Sequence, residues 1–201
     1  EDTGLIVEMG AWVLTHACMQ LRSLSETAAE LARLGMSVNV SVKQLRSPGI
    51  VNTVVEALAT SGIEPGRLTI EMTESVFVDD LETIGVVLTR LRALGIRIAV
   101  DDFGTGYSSL AYLKHLPLDT IKIDRNFIEE LPTDPCDKAI VESALSITKA
   151  MGLLAVAEGV ETPEQLAALR ALGCEAAQGF HFSEPMTDAE LARFVVAKHD
   201  W

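Results

Sequence analysis

The chain has 201 residues, 48% of them hydrophobic, and a formal net charge of −13, enough length and apolar content for one domain with a sizeable core. The charge argues against a nucleic-acid polymer as partner, although an anionic small molecule can bind where cations bridge it to the protein. No apolar run approaches the ~20 residues of a membrane span and no leader-like segment opens the chain, so a cytoplasmic setting is expected, with membrane attachment only through regions outside it.

Leu5, Met9, Val13, Ala17 and Leu21 recur every four positions and predict an amphipathic helix on that stripe. Val38 to Val42 alternates as a strand should. Ser47-Pro48 reads as N-cap and first residue of a helix through Ile50, Val54 and Leu58 that stops near Gly62. Leu68 to Met72 is the next strand, and Leu81, Ile84, Leu88 and Leu91 mark a helix ended at Gly95. Ile98 to Val100 reads as a buried strand running into Asp101 and Asp102, with a turn at Gly104 and Gly106. A short helical stretch on Leu110 and Leu113 leads to the strand Thr120 to Asp124. Asp134-Pro135 precedes a helix on Ile140, Ala144, Ile147 and Met151, and Leu153 to Ala157 is strand again, reaching Glu158. Capping boxes at Thr162–Gln165 and Thr187–Glu190 open the last two helices, on Leu166, Leu169 and Leu172 and on Leu191, Phe194 and Val195, with a strand from Ala176 to Phe180 between them.

Six predicted strands alternating with helices through short connections imply a parallel sheet covered by helices. A doubly wound sheet and a (β/α)₈ barrel compete. Gly104-Thr-Gly106 lacks the third glycine of a dinucleotide loop, which weakens the first. A barrel has eight strands in typically ~250 residues, so the expectation is one domain over residues 1–201, a TIM-like barrel lacking about two N-terminal strands. Cys18, Cys136 and Cys174 show no metal-ligand spacing and are expected to be buried small hydrophobes in a reducing compartment.

Polar residues cluster at the strands' C-terminal ends: Asn39, Glu71, Asp101 with Asp102, Lys122 with Asp124, Glu158 and Gln178. In a parallel barrel those ends share one face, so these side chains should converge. Lys122 and Asp124 share a strand face, as Asn39 and Ser41 do. Asp101 and Asp102 cannot both point inward unless the second sits where the strand turns into the glycine loop. Buried carboxylates are costly unless charge offsets them. An oxygen-only donor set suits Mg²⁺ or Mn²⁺, and its size suits two ions that bridge a phosphate for in-line attack by water. Lys122 would then hold the attacking water or the developing negative charge. The bland alternatives are a lysine pairing only with Asp124 and aspartates that merely cap a solvated turn. None of the four histidines acquires a role.

The segments Asn39-Val-Ser41 with Gln44, Glu71-Met-Thr-Glu-Ser75, Asp101-Asp-Phe-Gly-Thr-Gly106, Lys122-Ile-Asp124, Ala157-Glu-Gly-Val-Glu161 and Gln178-Gly-Phe180 together resemble the EAL domain, the bacterial phosphodiesterases that linearise cyclic di-GMP to pGpG. The resemblance implies that Asn39, Glu71 and Asp101 ligate a first metal, Asp101 also bridging, and that Asp102 ligates a second. It implies that Lys122 and Glu158 position or activate the hydrolytic water, with Gln178 and Asp124 as water or substrate contacts. Glu74 resembles the glutamate anchoring the loop from Asp102 to Leu110, through which members couple dimerisation to metal binding. A homodimer and upstream sensory or cyclase domains are implied likewise. The family's strand-ending Glu-Ala-Leu has no counterpart here; its place lies upstream of Glu1, which is expected to reflect truncation rather than degeneration. Two rivals stand beside the enzyme: a catalytically silent cyclic di-GMP sensor, and a Schiff-base aldolase using Lys122, disfavoured because the neighbouring acids keep an amine protonated.

Overall fold

The computed structural model describes residues 5–77, 81–106 and 113–197. Tyr107 to Leu110 and His199 lie outside the described residues. The six strands make one sheet in chain order: β1 Met36–Asn39, β2 Leu68–Thr73, β3 Arg97–Phe103, β4 Thr120–Ile123, β5 Leu154–Ala157 and β6 Ala176–Ala177. Pairs β1–β2, β3–β4, β4–β5 and β5–β6 are parallel. An order that never reverses has no topological switch point, so the doubly wound alternative falls and the TIM-like winding stands.

The chain forms two compact units. The first comprises Glu1–Met72, Asp80–Ile98 and Met186–Trp201. It holds β1, β2 and the helices α1 Leu5–Ser25, α2 Val42–Leu45, α3 Ile50–Ser61, α4 Leu81–Ala93 and, near the C-terminus, one at Asp188–Val196. Helix α1 packs on α3 and buries Gly10, Leu14, Cys18, Leu21 and Leu24. The predicted stripe is therefore corrected: Leu5, Met9 and Val13 are exposed. A strict repeat of four drifts about 40° per step around a 3.6-residue helix, whereas mixed steps of four and three stay on one face. Strand β1 also stops earlier than expected, at Asn39. Ser41 becomes the N-cap of α2, its Oγ accepting from the Gln44 amide at 3.3 Å while Gln44 Oε1 accepts from the Ser41 amide at 3.0 Å. Asn39 and Ser41 consequently share no strand face. Ser47-Pro48 is a turn, its carbonyl at Ser47 accepting from Ile50, and α3 begins only there, after Gly49.

The second unit comprises Thr73–Asp79 and Ala99–Pro185. Strands β4 and β5 form its centre, with Ile121, Ile123, Ala155 and Ala157 buried. Among the described residues two α-helices belong to it, α5 Pro135–Met151 and α6 Pro163–Ala171, so the C-terminal helix of the first unit is α7. Asp134 caps α5 by accepting from the Cys136 amide at 2.6 Å, and Thr162 with Gln165 forms the predicted capping box of α6. Helix α5 buries Val141, Ala144 and Thr148, leaving Ile140, Ile147 and Met151 half-buried, one helical position off the expected stripe. Strand β6 ends at Ala177, short of Phe180, which is exposed. The backbone of Gly179 runs so close to Val160 that a Cβ there would lie 2.1 Å from the Val160 carbonyl oxygen. Of the cysteines, Cys18 is buried, Cys174 half-buried and Cys136 exposed, so the expectation of three buried thiols holds fully only at Cys18.

Candidate metal centre

Strand β3 resolves the problem of its adjacent aspartates with a bulge. Val100 aligns with Ile121 but Phe103 with Ile123, three steps against two. The extra residue is absorbed at Asp102, whose φ of 54° is the one positive value among the described non-glycine residues. Aspartate tolerates the left-handed region better than most side chains. The bulge brings Asp101 and Asp102 to the same place as Glu158, just past β5, with one oxygen of each carboxylate within 4.8 Å of the others.

Lys122, on β4, closes the cluster. Its Nζ lies 3.0 Å from Asp101 Oδ1 and 2.5 Å from Glu158 Oε1, and the three side chains are only 8, 14 and 14% exposed. Gln178 Nε2 donates to the same Glu158 oxygen at 2.7 Å. Burial pushes the Glu158 carboxyl above its ordinary pKa, the negative charge of Asp101 adds to this, and Lys122 opposes it. Asp102 is raised too, first by burial, then by Asp101 and by a hydrogen bond with Asp124. Asp124 is buried just beyond β4, its Oδ1 accepting from the Asn126 amide at 2.8 Å. Lys122 thus pairs with Asp101 and Glu158 rather than with Asp124 alone.

Glu74 is buried, and its Oε2 accepts from the amides of Gly104 at 2.9 Å and Gly106 at 3.2 Å. The carboxylate holds the turn directly after Asp102. Within the first unit, Asn39 and Glu71 are register partners at the C-terminal ends of β1 and β2, Glu71 being buried. The second unit therefore brings together Asp101, Asp102, Lys122, Asp124, Glu158 and Gln178, and the first pairs Asn39 with Glu71. The sequence reading passed over Asn126, whose amide fixes Asp124; an aspartate ending a strand two residues before an asparagine is a signal for such a turn.

Three carboxylates without a histidine or cysteine fit a hard divalent cation, and the excess of negative charge that Lys122 only partly balances gives such an ion a reason to bind. Letters alone carry no such meaning. The tripeptide Glu56-Ala57-Leu58 occurs in the middle of α3 with Glu56 exposed, away from any strand end.

Residues 1–185 match the EAL domain family, and the chain belongs to it. Over 191 residues the chain is 44% identical to the bifunctional diguanylate cyclase/cyclic di-GMP phosphodiesterase MucR of Pseudomonas aeruginosa, covering 95% of this chain and 28% of that protein. It is 42% identical to the cyclic di-GMP phosphodiesterase NbdA of the same organism, covering 98% of this chain and 25% of the relative. The chain thus spans little more than a quarter of the curated relatives it matches. The solved MucR phosphodiesterase in complex with c-di-GMP superposes with a TM-score of 0.89, covering 94% of this chain and 76% of that one. Klebsiella pneumoniae BlrP1, solved with manganese and cyclic di-GMP, gives a TM-score of 0.78 at 30% identity, over 92% of this chain and 45% of that one.

Proposed function

We propose that this chain is the hydrolytic part of a cyclic di-GMP phosphodiesterase, opening the cyclic dinucleotide to linear pGpG in bacterial second-messenger signalling. One observation carries the reading: the carboxylates of Asp101, Asp102 and Glu158 share a space of 4.8 Å, with Lys122 joined to two of them. By the family resemblance Asp101 and Asp102 would ligate Mg²⁺ or Mn²⁺, and Asn39 and Glu71 of the first unit would also serve as metal ligands. Such ions, when bound, polarise the phosphate and acidify water.

The chain's own residues do the rest. Glu158, its proton affinity raised by burial, takes the proton of the attacking water. As that oxygen bonds to phosphorus, the bond to the leaving sugar oxygen breaks in line, and solvent supplies the proton it needs. Lys122, paired with Asp101 and Glu158, offsets the negative charge that develops. Gln178 fixes the Glu158 carboxylate, Asp124 contacts substrate or water beside Asp102, and Glu74 holds the turn that presents Asp102. The same reading makes the protein a cytoplasmic homodimer carrying sensory or cyclase domains.

The test is chromatographic conversion of cyclic di-GMP to pGpG with Mn²⁺, comparing wild type with Glu158→Gln. The variant should bind the dinucleotide and lose turnover by about 10²-fold or more. Tight binding without turnover by the wild type would leave only the sensor reading.

A further inference from the structure

Two neighbours hold the Glu158 carboxylate, Lys122 Nζ from β4 and Gln178 Nε2 from just beyond β6. The backbone ladder joining these strands to β5 runs past their ends. The Glu158 amide donates to the Ile123 carbonyl at 3.0 Å, the Gln178 amide to Ala157 at 2.8 Å and the Val160 amide to Gln178 at 3.0 Å. Each of the two joints contains a glycine with no room for a side chain. At Gly159 φ is 70°, and a Cβ would lie 2.4 Å from the Cβ and 3.3 Å from the Cα of Arg125, two residues past β4. At Gly179 φ is 155°, and a Cβ would also meet the amide nitrogen and carbonyl carbon of Val160, at 2.3 and 2.7 Å.

The obstructing atoms belong to the backbone or are bonded to it, so the strand ends themselves, not a flexible side-chain tip, would have to give way. A wedge at Gly159 parts β5 from β4, and with them Glu158 from Lys122. A wedge at Gly179 parts β6 from β5, and with them Gln178 from Glu158. Gly152 provides the contrast. It has the same φ of 70°, ends α5 before the start of β5, and has nothing within 4 Å of a Cβ. Alanine there carries the left-handed backbone penalty without the wedge.

We propose that Gly159 and Gly179 are positioning residues: their missing side chains let three strand ends close on the Glu158 carboxylate and hold it where it acts. The effect on turnover rests on the hydrolytic reading, whereas the grip on Glu158 is measurable without substrate. A displacement of about 1 Å at a reacting group can cost about 10²-fold in rate. Alanine at either glycine should therefore be felt in kcat, although neither position touches the reacting atoms.

In the pGpG assay Gly159→Ala and Gly179→Ala should each lower kcat at least about tenfold, with KM within about threefold of wild type. Gly152→Ala should keep kcat within about threefold. Adding Arg125→Gly to Gly159→Ala removes the obstructing Cβ and should restore most of the loss. Without substrate or divalent cations, the coupling between Lys122 and Glu158 is read from urea unfolding of Lys122→Met, Glu158→Gln and the double variant. It should be lost in the Gly159→Ala background and kept in Gly152→Ala. This measurement holds even if the wild type hydrolyses nothing, an outcome that would sink only the hydrolytic reading. Four results would each overturn the proposal: wild-type kcat in either positioning variant, an equal loss in Gly152→Ala, a Gly159→Ala defect in activity or folding that Arg125→Gly does not relieve, or a coupling that is absent from the wild type or survives in Gly159→Ala.

Discussion

At the scale of single residues, Lys122 has the most to explain. It places one positive charge between Asp101 and Glu158, with the third carboxylate, Asp102, close by. Removing one member of a buried ion pair costs about 3–5 kcal/mol, because the partners keep their desolvation penalty and lose the compensation. Lys122→Ala should therefore melt well below the wild type without divalent cations and recover part of the difference with Mn²⁺, which can take over the neutralising charge. Turnover should still fall by about 10²-fold, since a cation held by the carboxylates does not stand where the ammonium did. Melting curves with and without Mn²⁺, alongside the pGpG assay, separate these effects; turnover within threefold of wild type would remove Lys122 from the chemistry.

The elements show where local sequence determines structure and where packing overrides it. Glycine at position 10 of α1 looks like a flaw in a helix, yet a Cβ there would sit 1.6 Å from Gln44 Nε2. Gln44 in turn closes the capping box that turns the chain two residues after Asn39. Gly10→Ala gains about 1 kcal/mol of helix propensity but overpacks this contact at about 1–3 kcal/mol, so its urea midpoint should fall. Gly49→Ala, with nothing within 4 Å of its Cβ, should not lower it. The caps at Thr162 and Thr187 were legible because they depend on neighbours three residues away. The inward face of α1 was not: the helix is apolar nearly all round, and a contact 34 positions distant chooses the side. The strand-end acids were legible as types, but the bulge that gathers Asp101 and Asp102 depends on pairing with β4.

A cap also supplies the pH dependence of one element. Glu190 accepts from the Thr187 amide at 2.8 Å and the Thr187 hydroxyl at 2.7 Å, and these bonds hold its carboxyl below the ordinary pKa. A folded-state pKa below the unfolded one means that the contribution is complete above the unfolded value. It is lost as pH falls through the folded value. The wild-type advantage over Glu190→Gln should therefore be flat at neutral pH and shrink on acidification below about pH 4. Melting temperatures of the two proteins measured in parallel down that range would show it, and an advantage that grows with acid would refute the assignment.

For the molecule as a whole, a net charge of −13 is spread over a chain whose described residues include one cluster of three carboxylates close enough to share a cation. Any cation would relieve the general repulsion, so stabilisation by Mn²⁺ means little unless it can be traced to that cluster. Linkage supplies the distinction. A ligand that binds only the folded state stabilises by about 2.7 kcal/mol at a hundred times its dissociation constant, whereas screening needs far higher ionic strength. Millimolar Mn²⁺ or Mg²⁺ should accordingly raise the melting temperature at fixed ionic strength, and EDTA should reverse it. In Asp101→Asn, where one carboxylate becomes a neutral amide, most of that shift should vanish. In Glu142→Gln, an exposed site on α5, it should survive intact. Equal shifts in both variants would mean that the ions act on the charge of the whole surface, and the metal centre would lose its support even though the three carboxylates stand together.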